Sequence, residues 1–261
     1  MASARPAASR ALAVVAVAAC ALVPLAIVLV GSVASRWYWP ALIPSEWTTR
    51  AWRYVVSGSG GIPTALVTSG GLALVVAAAS VALSLPAARA LALHTFAGKR
   101  VVLFALLLPM LAPPLAAAMG LHSVFLRAGL ADSFAGVVLV HLVAAVPYAT
   151  FVLAGTFAGF DPELEAQART LGARRWSVWT RITLPAIAPG VALAAILAFV
   201  VSWSQYVLTL LVGGGRVLTV PLVLVAFQRG GDEGVAAALS VVFVAPLLLL
   251  FALAAPLFED P

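Results

Sequence analysis

The sequence predicts an all-α membrane protein with six transmembrane helices, and three observations carry that prediction. Of its 261 residues, 64% are hydrophobic and only 9% are charged, against roughly 25% charged in a typical soluble chain. The apolar residues gather in runs of about 20, the length at which a helix crosses a hydrocarbon core of roughly 30 Å. The runs are continuous and rich in Ala, Leu and Val, whereas barrel strands would be shorter and would alternate polar with apolar. In lipid each backbone polar group must be satisfied within its own segment, so such runs must be helical.

The six spans are read at residues 11–31, 62–85, 101–119, 135–157, 187–211 and 235–257, within a single transmembrane domain covering 1–261. The first is preceded by Arg5 and Arg10, and Ser32-Val33-Ala34 loosely resembles a cleavage site. Its apolar run nevertheless exceeds the roughly 7–15 residues of a signal core, so it reads as a retained span. Cys20 lies inside it and has no partner for a disulfide or a thiol metal site; it is expected to act as a small buried hydrophobe. The loop 32–61 carries Trp37, Tyr38, Trp39, Trp47, Trp52 and Tyr54. Such rings favour the headgroup zone, which predicts a short helix along the outer interface or a docking surface for an external partner. Pro24, Pro109, Pro113, Pro114, Pro147 and Pro246 fall in or near the spans, where neighbouring helices can satisfy the freed carbonyls.

Charge sets the orientation. With the N-terminus inside, the inner segments hold Arg5, Arg10, Arg89, Lys99, Arg100, Arg169, Arg174, Arg175 and Arg181. The outer segments hold Arg36, Arg50, Arg53, Arg127, Arg216 and Arg229. Nine against six favours both termini inside, under the rule that basic loops stay cytoplasmic. The net charge of +6 is distributed between apolar runs, which argues against nucleic acid as a partner. His94, His122 and His141 have no second ligand at metal spacing. Asp132, Asp232 and Glu233 read as outer-loop charge. Gly98-Lys99 lacks the preceding glycine of a phosphate-binding loop, and Arg100 stands where that motif has Ser or Thr. No nucleophile–base constellation is visible either, so catalysis within this chain is not expected.

Seven charged residues fall in one inner loop, 161–185, DPELEAQARTLGARRWSVWTRITLP. Asp161-Pro162 reads as a helix start, and Glu163 and Glu165 suit the positive end of its dipole. Leu164, Ala168 and Leu171 recur at helical spacing, and Gly172 suits a left-handed cap. A second short helix is expected from Arg174 to Thr183, with Trp176, Trp179 and Ile182 on one side and Pro185 closing it. Two short amphipathic helices bury little alone, so the element needs a partner surface or the membrane interface.

The loop resembles the cytoplasmic signature of permeases from binding-protein-dependent ABC importers. That signature reads Glu-Ala-Ala, three residues, Gly, nine residues, Ile, one residue, Leu-Pro. Here Gly172 is followed at that spacing by Ile182 and Leu184-Pro185, and Leu171-Gly172-Ala173 matches the common form. Counting back from Gly172 places the signature glutamate at Ala166, followed by Gln167 and Ala168 where the family has two alanines. Glu165 lies one residue earlier, at a place that is acidic in many relatives. Two readings stand: Glu165 alone carries the acidic contact to the ATPase, or that contact is weakened.

The resemblance implies a type I importer architecture, in which this loop is a coupling helix docked on an ATP-hydrolysing subunit. It implies four partners: a dimer of ABC ATPase subunits, a second permease subunit, identical or homologous, an extracytoplasmic substrate-binding protein, and the lipid bilayer. ATP and Mg would be bound by the partner ATPase, with no cofactor in this chain, and the location would be a prokaryotic inner membrane. The segment Ser202–Leu211 with Gly213-Gly214-Gly215 and Thr219-Val220-Pro221-Leu222 looks like permeases for polyamines, thiamine, ferric iron or phosphonates. Within it, Ser202, Trp203, Gln205, Tyr206 and Thr209 form a polar cluster, which reads either as lining of a translocation path or as interhelical hydrogen bonding. An ion-coupled secondary transporter or channel is the alternative. It would call for ionisable groups within the spans, which hold almost none besides His141.

Overall fold

The computed structural model describes residues 7–35, 37 and 40–258. Arg5, Arg36, Tyr38 and Trp39 lie outside the described residues. The described chain is helical almost throughout, with one antiparallel pair of two-residue strands. Among the described residues five helices are long and apolar enough to cross a membrane, or six if one sharply bent pair counts as a single span. The chain divides into two compact units, the first holding residues 1–62 and 223–246 and the second 63–222 and 247–261.

In the first unit, α1 (Ala7–Val33) leads into β1 (Ala34–Ser35), which pairs with β2 (Glu46–Trp47). The short helix expected in the outer loop is α2 (Arg50–Val56), which packs on α1 and buries Ala51 and Val55. Trp52 Nε1 donates to Ser32 Oγ at 3.1 Å, and Ser32 donates in turn to the Leu29 carbonyl at 2.7 Å. Asp232 precedes the helix Glu233–Ala254 and accepts from the Val235 N–H at 3.2 Å. The same carboxylate oxygen accepts from Arg50 at 2.6 Å. Cys20 is exposed rather than buried. The hydrophobic window of α1 buries none of its length within this chain, so its side chains are left for lipid or another subunit.

The second unit is built on α6 (Phe134–Ala158) and α9 (Leu184–Trp203), which pack along each other. Their shared core contains Ala149, Leu153, Phe157, Ile187 and Ala194, together with Ala88 of α3 (Ile62–Leu93). Small residues permit the close approach: a Cβ at Gly190 would run into the Thr156 side chain. α3 extends eight residues beyond the expected end at 85, because the Ala- and Leu-rich stretch after Pro86 continues the helix.

Two further expectations are corrected. The span read at 101–119 is two helices, α4 (Lys99–Leu111) and α5 (Pro114–Arg127), meeting at 107°. Ala112 is extended with φ −68° and ψ 137°, because a residue before proline is pushed out of the helical region. The tandem Pro113-Pro114 also supplies no backbone N–H to carry the ladder across. The span read at 187–211 ends at Trp203, and a separate helix α10 (Val207–Gly213) follows a break at 204–206. α10 packs on α5 and α6 through Ala118, Phe125, Val140, Leu208 and Val212.

Candidate functional site

The 161–185 loop forms as a capped helix, α7 (Glu163–Thr170), followed by a sharp turn. Asp161 Oδ1 accepts from the Glu163 N–H at 2.9 Å, which satisfies one of the free donors at the helix start. At the other end Gly172 N–H bonds the Arg169 carbonyl and Ala173 N–H bonds the Ala168 carbonyl. Gly172 sits at φ +84°, and the pair of bonds is the left-handed glycine cap expected from the spacing. The second loop helix departs from expectation. Helix α8 (Arg175–Val178), a π turn (Trp179–Thr183) and α9 run on as one 29-residue helix. Pro185 opens α9 instead of closing the loop. Its missing N–H and its ring clash with the preceding turn are accommodated where the wider π turn has already displaced the ladder.

The loop sorts its residues by side. Leu171 is 87% exposed and Trp176 is 75% exposed. Ala166, Gly172 and Pro185 are exposed, as is Leu184, while Ala168, Ala173 and Ile182 are half-buried. Among the described residues of α7, Glu165 alone is buried. Arg89 of α3 donates to both its oxygens, each at 2.7 Å. Thr183 of the π turn donates to Oε1 at 2.6 Å, and Arg169 stands 3.6 Å from Oε2. The Arg89 guanidinium holds the Glu165 carboxyl down at about 2, against the opposing effect of burial and with smaller help from Thr183 and Arg169. Arg89 itself lies over the rings of Phe157 and Trp179, 5.9 Å from each centroid. Beside this junction is a cavity of about 560 Å³ lined by Leu85, Pro86, Arg169 and Arg175 among others.

The polar cluster of the fifth span divides in two. Ser202 and Thr209 are buried and flank His141 of α6, with Ser202 Oγ 2.9 Å from Nδ1 and Thr209 Oγ1 2.9 Å from Nε2. Thr209 donates its own proton to the Gln205 carbonyl at 3.0 Å. It therefore accepts from an Nε2–H, and Nδ1 accepts from Ser202, a tautomer assigned from the network. Trp203 is buried and stacks on Phe199 at 5.7 Å. Gln205 and Tyr206 instead join Ser204 and Tyr148 on the wall of a second cavity, of about 660 Å³, between the α4–α5 bend and the α9–α10 break. Among the described residues lining it, none is charged.

The sequence family described as binding-protein-dependent transport system inner membrane component matches residues 84–260. This range contains the whole 161–185 loop. The chain belongs to the permease family of binding-protein-dependent ABC importers. Among relatives, the trehalose transport system permease protein SugB of Mycobacterium tuberculosis is 30% identical over 213 residues, covering 80% of this chain and 77% of that one. The molybdenum transport system permease protein ModB of the same species is 36% identical over 162 residues, covering 56% and 61%. The permease also shares its fold with a bacterial ABC transporter that imports the acidic polysaccharide alginate. There the TM-score is 0.73 at 18% identity, over 98% of this chain and 100% of the other.

Two residues of the permease escape a sequence reading of its sites. Arg89 is counted there as loop charge, yet it lies in α3 and meets Glu165 across 76 positions. The available signal was a single arginine inside an apolar run at 86–93. His141 is read as lacking metal partners, and among the described residues no group of three or more His, Cys, Asp or Glu could hold a metal. Its hydroxyl partners come from the two sides of a helix break that the sequence does not reveal.

Proposed function

We propose that the permease forms half of a translocation path, joined by a second permease subunit, with a dimer of ATPase subunits below and an extracytoplasmic binding protein above. Both termini face the cytoplasm of a prokaryotic cell, and the 161–185 loop transmits closure of the ATPase pair to the spans. The observation that carries this reading is the loop itself: a capped helix with an exposed Leu171–Trp176 face and one buried anchor, Glu165. Such a face is a docking surface, and its position between two long apolar helices makes it the link between a moving partner and the membrane part. Glu165 acts in this scheme from the inside of the loop, while Leu171, Gly172, Ala173 and Trp176 meet the ATPase. Gln205 and Tyr206 line the path, whereas Ser202, Trp203 and Thr209 hold its wall together.

The solute best supported is a neutral sugar or short oligosaccharide. The cavity beside the α9–α10 break offers two tyrosines, an amide and a hydroxyl, with no charged group among its described lining residues. Aromatic faces and neutral hydrogen-bonding groups suit a polyhydroxylated solute. A polyamine, a phosphonate or molybdate would leave its charge without a partner there. This replaces the polyamine, thiamine, iron or phosphonate expectation, and the relative named for trehalose favours the same class. The test is to purify the permease with its ATPase and binding protein, reconstitute them in liposomes, and measure uptake of trehalose, maltose, spermidine and molybdate. Sugar-stimulated ATP hydrolysis with uptake is expected. Stimulation by spermidine or molybdate and by no sugar would overturn the solute class, and uptake without any ATPase would overturn the importer itself.

A further inference from the structure

We propose that Arg89 is the positioning residue that carries loop motion into the spans, through a strut joining α3, α7 and the start of the 29-residue helix at the Glu165 carboxylate. The inference rests on the coupling role of the 161–185 loop argued above and adds the route by which displacement leaves it. Three observations support it. One carboxylate is shared by two elements besides its own: both oxygens accept from Arg89, and Oε1 also accepts from Thr183. A bidentate guanidinium–carboxylate pair fixes orientation as well as distance, so α7 can neither slide nor turn without moving α3. Arg89 is braced from behind by the rings of Phe157 and Trp179, so its head group is itself held by α6 and the π turn.

The third observation is the space around the strut. Apart from Glu165, no described residue of α7 is fully buried, and the 560 Å³ cavity occupies the gap between α3 and the loop. An open gap transmits no push, since van der Waals contact is lost within about an ångström of separation. α7 also packs on α8 and the π turn, but across the gap to α3 its rigid connection is the charged link. Cutting the link lets α7 move into the cavity without drawing α3 with it or seating the foot of the 29-residue helix.

The test uses the full complex with its ATPase and binding protein. A Cys20→Ser background removes the native thiol, and Ser204→Cys places a probe on the wall of the path cavity. Labelling by a membrane-impermeant maleimide is compared without nucleotide and with a non-hydrolysable ATP analogue, so no solute need be known. In the parent the labelling rate is expected to change several-fold with nucleotide. Arg89→Gln should keep the ATPase bound at parental stoichiometry and cut that nucleotide-dependent change at least tenfold. Arg89→Lys, which keeps the charge but not the two-pronged bond, should recover part of the response, and Thr183→Val should lose part of it. A parental response in Arg89→Gln, or an Arg89→Lys response no better than that of Arg89→Gln, overturns the strut. If Arg89→Gln fails to assemble, Thr183→Val decides alone, and an unchanged response there overturns the proposal. Failure of the coupling reading looks different: the ATPase does not co-purify even with the parent.

Discussion

Glu165 is the residue that ties the 161–185 loop to α3 and the π turn, and its energetics are set by these partners. Its pKa falls from the ordinary 4.5 to about 2, a difference worth on the order of 3 kcal/mol at neutral pH. Because the folded value is the lower one, this stabilisation is present in full above the unfolded pKa. It is lost as pH falls from there toward 2. Thermal unfolding in detergent should therefore show a constant gap between the parent and Glu165→Gln at pH 6 and above, closing progressively in acid. A gap that widened on acidification would contradict the assignment. His141 makes a different prediction. His141→Leu leaves the buried Ser202 hydroxyl without its partner, at a cost of about 1–3 kcal/mol, while Ser202→Ala alone strands an imidazole nitrogen. The double variant should lose less stability than the two single losses combined. Strict additivity would mean that the 2.9 Å contact contributes nothing.

At the scale of elements, the loop helix was readable because its ends are set by local chemistry. Asp161, the run of apolar residues and Gly172 specify start, face and stop within twelve positions. Gly172→Ala should confirm this. The position has open space around it, so the penalty is the left-handed backbone alone, about 1–2 kcal/mol. A melting point equal to the parent's would show that the cap is dispensable. The misread elements failed for a common reason. Hydropathy reports apolar length and says nothing about whether a proline interrupts a helix. At Pro113-Pro114 the chain turns through 107°, at Pro185 it continues through a π turn, and at Pro147 the helix carries on. The outcome depends on what neighbouring helices leave free. The Arg89–Glu165 pair and the His141 network were equally hidden, since each joins residues more than 60 positions apart.

At the scale of the molecule, the surplus of exposed apolar surface is the main fact. Leu12, Val14, Val17 and Leu22 of α1 are each more than 60% exposed, a state that water would not tolerate over a whole helix. Cys20 lies on this helix and is exposed, which gives a direct probe of its surroundings. In intact membranes it should react with a lipid-soluble maleimide and resist a charged, impermeant one applied from either side. Rapid reaction with the charged reagent would place α1 in water. Arg50 is among the arginines that the charge count expects outside. It is paired with Asp232, which holds that carboxyl below its usual range.

The uninterrupted run from Arg175 to Trp203 has a mechanical consequence. At 1.5 Å per residue, 29 residues make a rod of about 44 Å, longer than the hydrocarbon layer is thick. One end stands beside the exposed Trp176 and the other beside Ser204 on the wall of the second cavity. Seated at its foot by the Thr183–Glu165–Arg89 strut, such a rod would convey an axial shift with little loss, so a step of about 2 Å near Trp176 would arrive as a similar step near Ser204. The right-angled α4–α5 pair has no such property, and would serve as the stationary frame against which that piston works.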